Sequence, residues 1–225
     1  MALPAPQIPD AWQSPDGSRQ IPGCSGVREV AGVRVYTIEG SPHVSTSTVL
    51  RLSPWGRVEH VPQAALDYGA ARGSWVDQAC QLVDDGTLDW DGTDWEQRYD
   101  GKRMVTRPYV EAYAAWVQGV EVLETEGLVV AGDCRTFGFR DRVVRHPKHG
   151  QVVVDLKTSA VLTDRERLQL SSYATNATDA MLLLQLTKDG RAVEHWVPDW
   201  PAYRERFRRL ADEAHRWLEA QEARR

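Results

Sequence analysis

The chain has 225 residues and a mass of 25.3 kDa, long enough to close one domain around a sizeable core. With 42% hydrophobic and 26% charged residues it has the balance of a globular fold, and its net charge of −5 excludes a protein that coats nucleic acid by bulk attraction, though not a local basic site. No apolar run approaches the roughly 20 residues of a membrane span, and the N-terminus lacks the basic-then-apolar order of a signal peptide, so a cytoplasmic protein is expected.

Residues 1–27, rich in Pro, Gly, Ser and Gln, read as a flexible N-terminal arm, leaving 28–225 as a single domain. The alternation from Gly32 to Ile38 predicts a half-buried strand. Val61 to Val83 predicts a helix, residues 87–106 a polar connection, and Pro108 the start of a helix to about Leu123 with Tyr109, Tyr113, Trp116 and Val120 on one stripe. Leu128 to Ala131 is the first central strand. Thr136 to Val144 and Gln151 to Lys157 follow as a hairpin turned by Arg145 to Gly150. Thr163-Asp164-Arg165-Glu166 is a capping box opening a helix to about Ala174. Strands at Ala180–Leu186 and Ala192–Trp196 flank the turn Lys188-Asp189-Gly190, and a helix from Pro201 to about Ala220 closes the chain. This order predicts an α/β fold, a mixed central sheet flanked by helices.

Several conspicuous features take plain readings. Cys24, Cys80 and Cys134 are widely spaced and read as reduced, packed thiols, too few for the four ligands of an iron-sulfur cluster. The run from Asp89 to Asp94 lacks the ligand spacing of a calcium loop and reads as an acidic turn. Trp116, Trp196 and Trp217 sit on apolar stripes and are expected in the core. Arg204, Arg206, Arg208 and Arg209 alternate with acids as on a solvated helix face.

Chemistry concentrates at the end of the hairpin. In a strand alternate residues share a face, so Asp155 and Lys157 emerge together while Val152, Val154 and Leu156 face the other way. Ionised groups at the end of a buried strand call for compensation by a metal ion or a phosphate. Hairpin pairing brings Asp141 beside Asp155, and Arg165, Gln169 and Tyr173 recur every four residues on one helix face. Asp133 competes with Asp141 for the upstream acidic position. Arg140, Arg142, Arg145 and Lys148 cluster nearby in sequence, where phosphate contacts would be useful.

Gly138 and Asp141, then Asp155, Lys157 and Thr158, then Gln169 and Tyr173 resemble, in this order, the motifs of the RecB-like branch of the PD-(D/E)XK nucleases, a superfamily that includes phage exonucleases and CRISPR-adaptation nucleases. The similarity extends to the Ser/Thr-rich segment from Val44 to Leu50 and to Arg72-Gly73-Ser74-Trp75-Val76-Asp77, where the family carries a histidine at the position of Asp77. The resemblance implies a restriction-endonuclease-like core and a Mg²⁺- or Mn²⁺-dependent deoxyribonuclease, an exonuclease of phage or bacterial recombination and repair, without an iron-sulfur cluster. It implies metal binding by Asp141 and Asp155 with the Leu156 carbonyl and a further acid from Glu124, Glu126 or Asp77. Lys157 would orient or deprotonate water, and Gln169 and Tyr173 would position it. Arg140, Arg142, Arg72 and Thr158 would contact DNA, and a recombinase or annealing protein is the implied protein partner. The alternative is a catalytically silent module of the same fold that binds DNA or a protein; the replacement of histidine by Asp77 is its support, and the intact Asp141, Asp155 and Lys157 count against it.

Overall fold

The computed structural model describes residues 21–54 and 61–224. Of the expected N-terminal arm, residues 1–20 lie outside the described residues, and the rest is not an arm, since Cys24–Val30 forms strand β1. It pairs antiparallel with β2 (Val33–Ile38), which pairs antiparallel with β3 (Ser41–Ser45). Helices α1 (Thr46–Leu52) and α2 (Gln63–Asp84) follow, then the hairpin β4 (Glu96–Tyr99) and β5 (Lys102–Val105), and helix α3 (Arg107–Val117). The core strands are β6 (Glu121–Ala131), β7 (Thr136–His146) and β8 (Gly150–Lys157). Helix α4 (Asp164–Ser171), strands β9 (Ala180–Leu186) and β10 (Ala192–Trp196) and helix α5 (Trp200–Glu222) complete the chain.

Eight strands form one mixed sheet in the order β1-β2-β3-β7-β8-β9-β10, with β6 paired to β7. Alternation along β8 and β9 sorts the side chains into two layers. Val152, Val154 and Leu156 join Leu182, Leu184 and Leu186 against Val76 of α2 and Val110 and Tyr113 of α3. Val153, Met181 and Leu183 face the other way, against Leu170 and the nearby Tyr173. A third cluster joins Val49 and Leu50 of α1, Leu168 of α4 and Phe207 of α5 to Val33 and Val44 of the sheet. The molecule is therefore an α/β structure with a mixed central sheet covered on both faces by helices. Each fully buried Val or Leu contributes roughly 1.5–3 kcal/mol relative to exposure. The β7–β8 hairpin closes at Gly150, whose φ of 69° needs glycine, and an added Cβ would also lie 2.4 Å from Asp179 Oδ2, which accepts from Gln151 N.

Three boundaries depart from the periodicity. The polar connection contains the β4–β5 hairpin, a polar two-stranded sheet in which Met104 alone is buried. Helix α3 stops at Val117, because Gln118 and Gly119 turn the chain; Val120 still packs on the core, so the apolar stripe outlasts the helix. The first central strand begins at Glu121 rather than Leu128, with its register shifted between Val122 and Glu124. Trp116 and Trp196 pack against the core as expected, whereas Trp217 is 37% exposed. Cys80 and Cys134 are buried free thiols, Cys24 is a half-buried one, and Asp89 caps its acidic turn by accepting from Asp91 N and Gly92 N. Among the described residues no helix is long and apolar enough to cross a membrane.

Candidate active site at a fork in the sheet

One edge of β7 is occupied along its length by β6, from Glu121 opposite Arg145 to Ala131 opposite Thr136. The other edge is shared. Strand β3 pairs with it in parallel at Thr136 and Phe137, and β8 pairs antiparallel from Arg142 to His146. Between these two partners, over residues 138–141, the sheet forks. Gly138 sits in the gap, where an added Cβ would lie 2.6 Å from Tyr173 Cε1 and 3.0 Å from Thr46 Oγ1. The Tyr173 ring just past α4 and the first residue of α1 thus fill the fork against bare backbone. Ser45 caps α1 by accepting from Thr48 N, and Thr46 Oγ1 shares a buried hydrogen bond of 3.0 Å with Ser172 Oγ, so the Ser/Thr-rich segment fastens α1 to α4.

The site lies where β8 leaves β7. The ladder ends at Arg142 opposite Val154, and one step further, Asp141 stands opposite Asp155. There Asp141 Oδ2 accepts from Leu156 N at 2.6 Å, replacing the lost ladder bond with a side chain. Asp155 is 1% exposed, and its Oδ2 makes no hydrogen bond of good geometry but is in ionic contact with the Lys157 ammonium. Lys157 Nζ lies 3.4 Å from Gln169 Oε1, and Gln169 Nε2 donates to Tyr173 Oη at 3.2 Å. The capping box at Thr163 and Glu166 is formed, which sets the start of α4 and hence the direction of this polar face.

Electrostatics follow from burial. Desolvation, then the charge of Asp155 and that of Asp77, push Asp141 well above the usual carboxylate range. Desolvation also raises Asp155, although Lys157 opposes it. Burial alone would lower Lys157, but the charges of Asp155 and Asp141 outweigh it and hold the ammonium above its ordinary value. Desolvation and the same acids raise Tyr173, leaving a neutral phenol.

The other expected residues divide. Arg142 is the clearest correction: it is 0% exposed and cannot reach a DNA backbone from this position. Its Nε donates to Asp84 Oδ2 at 2.6 Å and to Tyr113 Oη at 3.3 Å, and its NH1 to Asp77 Oδ1 at 3.0 Å and to the Asp141 carbonyl at 2.8 Å. It is a clamp that ties α2 and α3 to β7. The hairpin register held the signal, since Arg142 pairs with Val154, whose face packs on α2 and α3. Asp84 and Tyr113, the clamp's other members, were not singled out by the sequence as polar partners. Arg140 reaches Glu124 in an ion pair, with its side chain 13% exposed. Arg72 donates to the Thr158 carbonyl at 2.9 Å and to Thr158 Oγ1 at 3.3 Å, so these two residues hold each other. Arg145 pairs with Glu121, and Asp133 lies elsewhere, paired with Arg204.

Among the acids, Asp77 comes to the site but has both oxygens engaged, Oδ1 by Arg142 and Oδ2 by Gln81 Nε2. Glu124 is turned to Arg140. Glu126 lies between the pairs Thr125–Arg142 and Gly127–Arg140, opposite Asp141, with a φ of 53°, and its charge contributes to raising Tyr173. Among the described residues no group of three or more His, Cys, Asp or Glu is disposed to hold a metal ion. The buried Asp155 and the half-buried Asp141, whose charges repel each other, nonetheless form a donor pair suited to a hard cation.

Lys157 opens onto a cleft of about 1200 Å³ between α2 and the β8–α4 segment. Gln169, Thr158 and Arg165 line it on the side of Lys157, and Leu66 and Ala70 on the side of α2. No family model and no curated protein matches this chain.

Proposed function

We propose that the protein is a divalent-metal-dependent deoxyribonuclease with a restriction-endonuclease-like core, hydrolysing phosphodiester bonds in the cleft beside Lys157. The observation that carries this reading is the pair of acids at the fork, Asp155 buried and Asp141 half-buried beside it, fronted by an ammonium that faces a large cleft. Asp141, Asp155 and the Leu156 carbonyl would hold Mg²⁺ or Mn²⁺, with Glu126, which lies opposite Asp141 on β6, adding a third acid. When bound, such an ion lowers the pKa of a water and offsets charge on the phosphate. The chain's own residues supply the rest. Lys157 would stabilise charge developing on the phosphate and orient or deprotonate the water. Gln169 fixes the Lys157 head group, and Tyr173 fixes Gln169. Hydrolysis adds the water oxygen to phosphorus, breaks one P–O bond, and returns the proton to the departing sugar oxygen.

Digestion of end-labelled linear and closed circular DNA with Mg²⁺ tests the activity and separates exonuclease from endonuclease action. Asp155→Ala and Lys157→Ala are each expected to lower cleavage by at least a hundredfold while the far-UV circular dichroism is kept. Parent-level turnover in both variants sinks the assignment. A second reading, a silent module that binds DNA without cutting it, draws on the engagement of Asp77 by Arg142 and Gln81. Binding of DNA with no metal-dependent cleavage under any divalent cation would favour it.

A further inference from the structure

Lys157 is the last residue of β8, and α4 does not begin until Asp164. A strand end that runs into a connecting segment is where a chain is ordinarily most mobile. Here the two residues directly after Lys157 are each held by a side chain from another element. On one side stands Arg72 of α2, which donates from NH2 to the Thr158 carbonyl at 2.9 Å and from Nε to Thr158 Oγ1 at 3.3 Å. Its guanidinium lies over the Tyr109 ring at 5.5 Å and over the Tyr68 ring at 5.9 Å, so two aromatic rings as well as two hydrogen bonds fix it. The helix approaches closely at this point: a Cβ added at Gly73 would lie 3.9 Å from Thr158 Oγ1.

On the other side stands Gln185 of β9, the register partner of Lys157, which donates from Nε2 to the Ser159 carbonyl at 2.7 Å. A carbonyl can only accept, and this fixes the amide, with Nε2 toward Ser159 and Oε1 toward His195 Nε2 at 3.0 Å. The amide oxygen in turn needs a donor, so His195 carries a proton on Nε2 and braces Gln185 from β10. The consequence falls on Lys157. Its ammonium rides on a flexible four-carbon stem, and Asp155 and Gln169 meet that stem only at its tip. The root of the stem is placed by the backbone, which is tied to β9 at Lys157 itself and to Arg72 and Gln185 in the next two residues.

Resting on the nuclease reading, we infer that Arg72 and Gln185 are positioning residues for Lys157, and that Arg72, although it lines the cleft, serves the end of β8 rather than a DNA phosphate. The two roles open to Arg72 make opposite demands on Arg72→Lys. A phosphate contact needs the charge, which lysine keeps; a hold on a carbonyl and a hydroxyl together needs the fork, which lysine lacks. The test measures kcat and KM of the full chain for Mg²⁺-dependent cleavage of labelled linear DNA, and its affinity for the same DNA in EDTA over a range of salt. A displacement of about 1 Å at a reacting group costs about a hundredfold, so loss of one of the two holds should lower kcat about tenfold. Arg72→Lys and Arg72→Ala should both show that loss, with the KM and the salt slope of the parent. Gln185→Leu, which keeps the bulk and removes both hydrogen bonds, should match them, and Gln185→Glu should not rescue it, because a carboxylate cannot donate to the Ser159 carbonyl. Parent-level kcat in Arg72→Lys, with a salt slope reduced by about 0.9 in Arg72→Ala, would make Arg72 a phosphate contact and overturn its assignment. Parent-level kcat in Gln185→Leu overturns the assignment of Gln185. Activity that falls only in step with the folded fraction in urea overturns both assignments, since the residues then hold the fold and nothing more. Each of these results leaves the nuclease reading standing, because the parent cleaves in all of them. Absence of cleavage by the parent overturns this inference and the nuclease reading together.

Discussion

Two carboxylates one register step past the last ladder pair of adjacent strands carry a penalty that the fold does not need for its own stability. Asp141 has its pKa raised by burial first and then by the charges of Asp155 and Asp77. A folded pKa above the unfolded one means that the native state holds the proton more tightly. Stability is therefore greatest below the unfolded pKa, falls as pH rises through the window between the two values, and stays reduced above the folded pKa. In EDTA at neutral pH, Asp141→Asn should melt at a higher temperature than the parent, because the amide oxygen can still accept from Leu156 N while the charge is gone. The gain should vanish at a pH low enough to protonate Asp141 in both states. A variant less stable than the parent at neutral pH would show that the hydrogen bond outweighs the charge repulsion. At this scale the sequence was informative: Asp141 faces Asp155 because the hairpin register is set by the turn and the valine pattern, and Gln169 meets Tyr173 because residues four apart on a helix are neighbours. The roles of Arg140 and Arg142 were not legible in the same way. Nearness in sequence suggested a shared basic patch, yet one guanidinium goes to Glu124 and the other to Asp77 and Asp84.

At the level of elements, the clamp built on Arg142 explains how α2 and α3 hold their position against the sheet. Asp84 is 3% exposed at its side chain and raised by burial, an effect that Arg142 opposes. Arg142→Ala would leave Asp77 and Asp84 without their cation, and removing one partner from such a buried network costs about 3–5 kcal/mol. Urea denaturation should show that loss, and Arg142→Met combined with Asp84→Asn should recover part of it, because the more buried carboxylate becomes an amide and only Asp77, 22% exposed, stays charged without its cation. Equal stability of Arg142→Ala and the parent would mean that the clamp contributes nothing net. The clamp and the Gly138 fork depend on contacts between residues far apart in the chain. Periodicity located α2, the β7–β8 hairpin, α4 and α5, because each displays its own apolar face or cap. It missed β1, whose seven residues include only one buried side chain, and the polar β4–β5 hairpin, because neither buries an alternating face.

Seen as a whole, the molecule places its acids on β7 and β8, interior strands of an eight-stranded sheet covered on both sides. The parallel pairing of β3 with β7, which creates the fork, joins segments about ninety residues apart and has no local signature. Opening the site therefore means opening the sheet, and an ion bound there should stabilise the entire fold rather than one loop. Saturation at a hundred times the dissociation constant contributes about 2.7 kcal/mol, which for a domain of this size raises the melting temperature by about 5–10 °C. Mg²⁺ should produce that rise in the parent relative to EDTA, and Asp155→Asn should abolish it. Because the net charge is −5, divalent ions also screen the surface, so NaCl at matched ionic strength is the necessary control. Glu126→Gln should reduce the rise more than Glu124→Gln does if the acid opposite Asp141 joins the site. A parent that melts at one temperature in EDTA, NaCl and Mg²⁺ alike would remove the metal from the proposal, and with it the chemistry assigned to Asp141 and Asp155.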